Sequence, residues 1–172
     1  MNHLKYPIGE FQVPSVISSD QRQILINDVK IFPETFREIG MSLGPKELET
    51  PYRPEGWTAR QVIHHVFDSH LHTYCRFKWA LTEQDPIVKP YFEDLWAELP
   101  DNGLIPITLS LQMIDTLHQR WVILMESMIM DDWKKTYTDP KYQITLKLDQ
   151  SLALYAWHGK HHIGHIKIIR GY

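Results

Sequence analysis

The chain has 172 residues, 43% of them hydrophobic and 23% charged, with a formal net charge of -3 at pH 7. That length suits one domain over residues 1–172 with material for a core. The charge is too mild and the Lys and Arg residues too scattered for nucleic-acid binding, and no apolar run is long enough to span a membrane.

The start, Met1-Asn2-His3-Leu4-Lys5-Tyr6-Pro7, lacks the charged and apolar regions of a signal peptide, and Cys75 is the sole cysteine. A reducing cytoplasm is the expected setting. Residues 1–17, with Pro7, Gly9 and Pro14, read as an extended arm. Ser18-Ser19-Asp20 then starts a first helix from Ser19 to about Gly40, which Pro33 should kink or split. A loop rich in breakers (Pro45, Pro51, Pro54, Gly56) follows. Thr58 and Gln61 form a capping box for a second helix to about Thr82. Its apolar side collects Val62, Ile63, Val66, Phe67, Tyr74, Phe77 and Leu81.

Residues 85–106 form a long connection with four prolines, a short helix over 92–99 and the character of a lid. A third helix is predicted from Thr108 to about Met130, with Leu111, Ile114, Leu117, Trp121, Leu124 and Met128 on one stripe. Between Lys135 and Leu148 the period changes to alternation around a turn at Asp139-Pro140, which predicts a small β-hairpin. Asp149 or Ser151 should cap a last helix to about Ile169. The expected class is all-α, a four-helix bundle with a small β-hairpin before the last helix. The six Trp read as packing groups, with Trp157 walling any site. Arg60, Arg76 and Asp68 read as solvated, Glu93, Asp94 and Glu98 as one exposed helix face, and Cys75 as a small helix residue.

Histidine is the anomaly. Eight of the ten fall in two short windows: His64, His65, His70 and His72, then His158, His161, His162 and His165. His161 and His165 stand four apart, so a helix puts both on one side, with Leu154, Trp157 and Ile168. His158 and His162 have the same spacing but turn towards Tyr155 and Ile169. Company with large apolar groups favours the 161/165 pair. Two such ligands and a third from the first window would hold a divalent metal with a position left open for water or substrate. Periodicity does not separate His64 from His65 as that third ligand. No Glu lies between His161 and His165, so this is not an HExxH protease helix.

Longer stretches carry a family resemblance. Tyr52-Arg53-Pro54-Glu55-Gly56-Trp57-Thr58-Ala59-Arg60-Gln61-Val62-Ile63-His64-His65 resembles the signature of the YfiT group in the DinB-like superfamily. So do Tyr6-Pro7-Ile8-Gly9-Glu10, Tyr74-Cys75-Arg76-Phe77-Lys78 and the segment from Tyr155 to Ile166. The resemblance covers nearly the whole chain. It implies a four-helix bundle with one divalent metal ion per subunit, zinc or nickel, held by His65, His161 and His165. The choice of His65 over His64 rests on the resemblance alone. It further implies a cytoplasmic, homodimeric, metal-dependent hydrolase that activates water against a small-molecule substrate. Lys160 departs from the pattern, standing where His is expected.

Other branches of the superfamily transfer low-molecular-weight thiols, or isomerise substrates with a thiol cofactor. Thiol transfer is therefore an alternative, and a non-catalytic metal-binding module is another. An open coordination position separates the enzymes from the module. Asp68, His64 and His70 are near in sequence, but no catalytic base is assigned.

Overall fold

The computed structural model describes residues 2–171; Met1 of the expected arm and Tyr172 lie outside them. The arm carries one short turn, α1 (Asn2–Lys5), and is otherwise without regular structure up to the first long helix, α2 (Ser19–Met41). A single turn, α3 (Pro45–Leu48), precedes α4 (Ala59–Thr82). Two short helices, α5 (Glu93–Ala97) and α6 (Asp101–Leu104), punctuate the long connection before α7 (Ile107–Glu126). A 3-10 turn at Asp132–Lys134 leads into the hairpin β1 (Thr136–Asp139) and β2 (Ile144–Lys147), then α8 (Leu148–Arg170).

The caps explain where the helices begin. Ser18 accepts from the Gln21 amide while the Gln21 side chain accepts from the Ser18 amide, and Thr58 and Gln61 repeat this at α4. Two starts differ from expectation. Helix α7 opens at Ile107 behind Pro106 and ends at Glu126, short of Met130. Helix α8 opens at Leu148, where the Gln150 side chain takes the Lys147 amide, so neither Asp149 nor Ser151 is the cap.

Pro33 neither splits nor ends α2, which runs unbroken past it. A proline removes the N–H that would bond the carbonyl four residues back, here Val29. That carbonyl accepts instead from His118 Nδ1 at 2.7 Å. The lost helical bond is replaced by one from the neighbouring helix.

The four long helices pack in the cyclic order α2, α7, α4, α8. Helices α2 and α4, successive long helices in the chain, therefore occupy opposite corners of the bundle, as do α7 and α8. Two apolar clusters fill it. One centres on Phe77, Trp121, Leu148 and Leu152, the other on Phe36, Val62, Ile63, Ile114 and Ile166. Between them lies a polar layer, His70 and His118, both essentially sealed from solvent. His70 stacks on Phe32 of the second cluster and meets Trp121 and Tyr155 of the first edge-on. The side chains of Trp79 and Trp96 are exposed and are not core groups. No helix among the described residues is long and apolar enough to cross a membrane.

Gly159 lets α2 and α8 approach. A Cβ there would stand 2.7 Å from a ring carbon of Phe32. Gly159→Ala must displace that ring, and the expected loss is about 1–3 kcal/mol, read by urea unfolding.

The buried histidine layer makes stability pH-dependent. In the unfolded chain both rings protonate near pH 6.5. In the fold, burial lowers His118 to about 4 and His70 well below the ordinary range. The unfolded chain therefore binds more protons between those values, so stability present at neutral pH is lost as the pH falls through that window. Urea midpoints of metal-free protein should drop steadily from pH 7 to pH 4.5. A flat profile would show that these rings are already charged in the fold.

Candidate metal centre

The histidines converge because α4 and α8 are neighbours in the bundle. His65 on α4 faces His158 and His162 on α8. Their Nε2 atoms lie 3.4 Å (His65 to His158) and 3.2 Å (His162 to His158) apart. These three form one group with ligand atoms within 4.8 Å of one another, and no fourth His, Cys, Asp or Glu joins it among the described residues. A second group contains His161, His162 and His165. His65, His161 and His165 do not form a group of their own.

His161 and His165, the pair the sequence reading favoured, line the same cavity as His65 but sit towards the N-terminal arm. The side of α8 bearing Leu154, Trp157, His161 and His165 is covered by the N-terminal arm, not by another long helix. Tyr6 packs near His161, Phe11 against Trp157, and Pro7 against Gly164. The apolar residues on that side belong to the arm contact, which periodicity cannot distinguish from a bundle contact.

Hydrogen bonding separates the two groups. The Lys5 carbonyl, 3.1 Å from His165 Nε2, can only accept, so the His165 proton sits on Nε2. The bare Nδ1 of His165 then accepts from His162 Nδ1 at 3.3 Å. His162 is left with an unprotonated Nε2, and His165 with no lone pair to offer a metal. His65 meets the same requirement as His162 when its Nδ1–H donates to the Tyr91 hydroxyl at 3.4 Å. The outer nitrogen of His158 is engaged by His70 at 3.1 Å.

All these rings are held neutral. Burial lowers His65 and His161 to about 3 and His165 to about 4, and lowers His158 and His162 well below the ordinary range. Bare nitrogens 3.2–3.4 Å apart repel unless a cation lies between them. A tetrahedral ion bound at about 2.0–2.1 Å has ligand edges of about 3.3–3.4 Å, close to the two edges at His158, and the third pair also lies within 4.8 Å, so the trio suits a metal.

His64 stands apart, its Nδ1 bonded to Ser110 at 2.8 Å, which accounts physically for His65 rather than His64 facing α8. His161 stacks on Trp157 with centroids 4.4 Å apart, and its buried Nδ1 has no partner.

The trio lines a cavity of about 550 Å³. Its walls are aromatic, with Tyr6, Phe11, Tyr52, Trp57, Tyr91 and Trp157 among them. Arg76 is buried, not solvated, and pairs with Asp139 at 2.8 Å. Glu93 also lines the cavity instead of lying on an exposed face, and it pairs with Lys141 and accepts from the Tyr142 hydroxyl. Asp68 is half-buried, with its carboxyl raised to about 6 by burial. Tyr91 and Glu93 bring the 85–106 connection to the cavity, and bonds between Val88, Pro86 and Thr138 tie that connection to β1. His118, Tyr91 and the Lys5 carbonyl escaped the sequence reading. Only a proline inside an unbroken helical pattern hinted at the first.

Comparison with known proteins agrees with this architecture. The model of the DinB superfamily matches residues 32–166. A Bacillus cereus (strain B4264) protein, provisionally named a metal-dependent hydrolase, is 47% identical over 99% of this chain and 97% of its own. A Bacillus thuringiensis relative with the same provisional name is 46% identical with the same coverage. The solved structure of YfiT from Bacillus subtilis, described as a metal-dependent hydrolase on the same provisional footing and as a four-helix bundle of unusual topology, superposes with a TM-score of 0.96. It is 37% identical and covers 98% of this chain and 97% of its own. A mycothiol-dependent maleylpyruvate isomerase shares the fold at a TM-score of 0.65 and 14% identity, over 83% of this chain and 59% of its own. The chain therefore belongs to the DinB superfamily.

Proposed function

We propose that this protein is a metal-dependent hydrolase of a small molecule, with a divalent zinc or nickel ion held by His65, His158 and His162. One observation carries the reading: the Nε2 atoms of His65 and His162 lie 3.4 and 3.2 Å from that of His158, while the outer nitrogens of all three rings are engaged elsewhere. This set keeps His65 from the sequence expectation and exchanges His161 and His165 for the other pair of the same spacing. The names of the relatives support the metal-dependent hydrolase class.

Such an ion supplies Lewis acidity, which acidifies water and polarises a carbonyl or phosphoryl oxygen. The protein's own groups bind and orient. With three protein ligands the trio leaves a position open towards the cavity, which argues against a purely structural site. The aromatic walls suit a substrate with an apolar portion, and a cavity of about 550 Å³ suits a small molecule.

A second reading, transfer of a low-molecular-weight thiol, is favoured by one feature. The carboxylates lining the cavity, Glu93 and Asp139, are both tied to cations, so neither is free to act as a base. A metal-held thiolate needs no such base. Its sulfur would come from a bound cofactor, since Cys75 does not line the cavity.

Metal content of untagged protein tests the ligand set. Wild type should hold about one equivalent, His158→Ala and His162→Ala nearly none, and His161→Ala close to the wild-type amount. Loss in His161→Ala with retention in His158→Ala would move the ion to the other pair.

Turnover tests the chemistry. Metal-loaded protein should cleave members of a panel of esters, amides and phosphoesters without added thiol, and His158→Ala should not. Turnover that appears only with added thiol would replace hydrolysis by transfer.

A further inference from the structure

Behind His158 the polar contacts continue away from the cavity. His158 Nδ1 lies 3.1 Å from His70 Nε2. His70 Nδ1 lies 2.7 Å from His118 Nε2. His118 Nδ1 lies 2.7 Å from the Val29 carbonyl oxygen. The chain thus crosses α8, α4 and α7 and ends on α2. His70 and His118 are sealed between the two apolar clusters, and no carboxylate bonds either ring among the described residues.

The end point fixes the direction of every bond. A carbonyl oxygen has no proton to give, so His118 Nδ1 carries the hydrogen. A neutral imidazole has one ring proton, so His118 Nε2 is bare and accepts from His70 Nδ1–H. His70 Nε2 is then bare and accepts from His158 Nδ1–H. His158 Nε2 is left unprotonated, aimed at His65 and His162. Reversing any link would set two protons, or two lone pairs, against each other in a dry interior, a cost of roughly 1–3 kcal/mol for each unsatisfied group. The Val29 carbonyl is available because Pro33 has no N–H to offer it within α2.

We propose that His70 and His118 are positioning residues that lock His158 in its metal-ready tautomer, anchored on the Val29 carbonyl that Pro33 frees. The chain is a brace and not a proton conduit, because its far end can neither take up nor release a proton. The proposal rests on His158 being a metal ligand. Its first part, the tautomer order, can be read without metal.

Long-range proton–nitrogen correlation NMR on metal-free wild type reads each ring directly. The expected pattern is Nδ1 protonated and Nε2 bare in His118, His70 and His158. A proton on Nε2 of His158 or His118 would overturn the proposal, and this measurement needs no variant that might fail to fold. Cobalt(II) titration then reads the consequence. His118→Phe, which keeps the ring's bulk but removes both bonds, should weaken cobalt binding on the order of 10–100-fold and alter the ligand-field spectrum. His118→Gln, whose amide can still accept from His70, should recover part of the affinity. Equal affinity and an unchanged spectrum in His118→Phe would overturn the brace. Failure of wild type to bind cobalt, or full binding by His158→Ala, would instead sink the ligand set, and the proposal with it. The nitrogen pattern of the metal-free protein would then tell whether the ordered chain exists without that role.

Discussion

A neutral imidazole has two nitrogens and one proton, and this structure buries seven histidines and half-buries two more, His72 and His158, on the bundle helices. In a dry interior each ring must find an acceptor for its N–H and either a donor or a cation for its lone pair. Carboxylates would ease the problem by charging the rings, but none bonds them among the described residues. Backbone carbonyls therefore set the polarity. The Lys5 carbonyl does so through His165 for His162, and the Val29 carbonyl does so through His118 and His70 for His158. Both chains leave bare nitrogens at the same place, beside His65.

The bundle is arranged around this requirement. Its two apolar clusters are divided by the His70 and His118 layer, and Phe32, Trp121 and Tyr155 pack their rings directly on it. Helix α2 needs an irregularity at Pro33 to release a carbonyl inward, and α8 needs a residue without a side chain at Gly159 to admit Phe32. Two residues usually counted as poor helix formers thus serve the layer between the clusters. His70 and His118 do not line the aromatic cavity, whereas Tyr91, Tyr155 and His165 both contact the histidine cluster and line it.

Much of this was legible in the sequence, for identifiable reasons. The start signal at Ser18-Ser19-Asp20 and the capping box at Thr58 marked two helix starts to the residue, and the alternation between Lys135 and Leu148 marked the hairpin. The crowding of histidines in two windows marked the site, and the longer stretches carried the family resemblance. What stayed hidden was contact between distant segments. His118 is a lone histidine on an apolar stripe, and nothing local distinguishes it from an ordinary core residue. Arg76 looked solvated because its partner, Asp139, lies in the hairpin. The 161/165 pair is buried and lines the cavity, but its apolar neighbours meet the N-terminal arm, a segment with little regular structure and no period to read.

That arm gives the chain's first residues an influence out of proportion to their length. Pro7 seats on Gly164, the Gly9 carbonyl accepts from the Trp157 indole, and the Lys5 carbonyl ends one of the two histidine chains. A change that loosens this arm acts on the peptide group that orients His165 and, through it, His162. Helix α8 itself is capped by a left-handed Gly171. The orientation of the histidine cluster on α8 is thus set partly by a segment more than a hundred residues away in sequence.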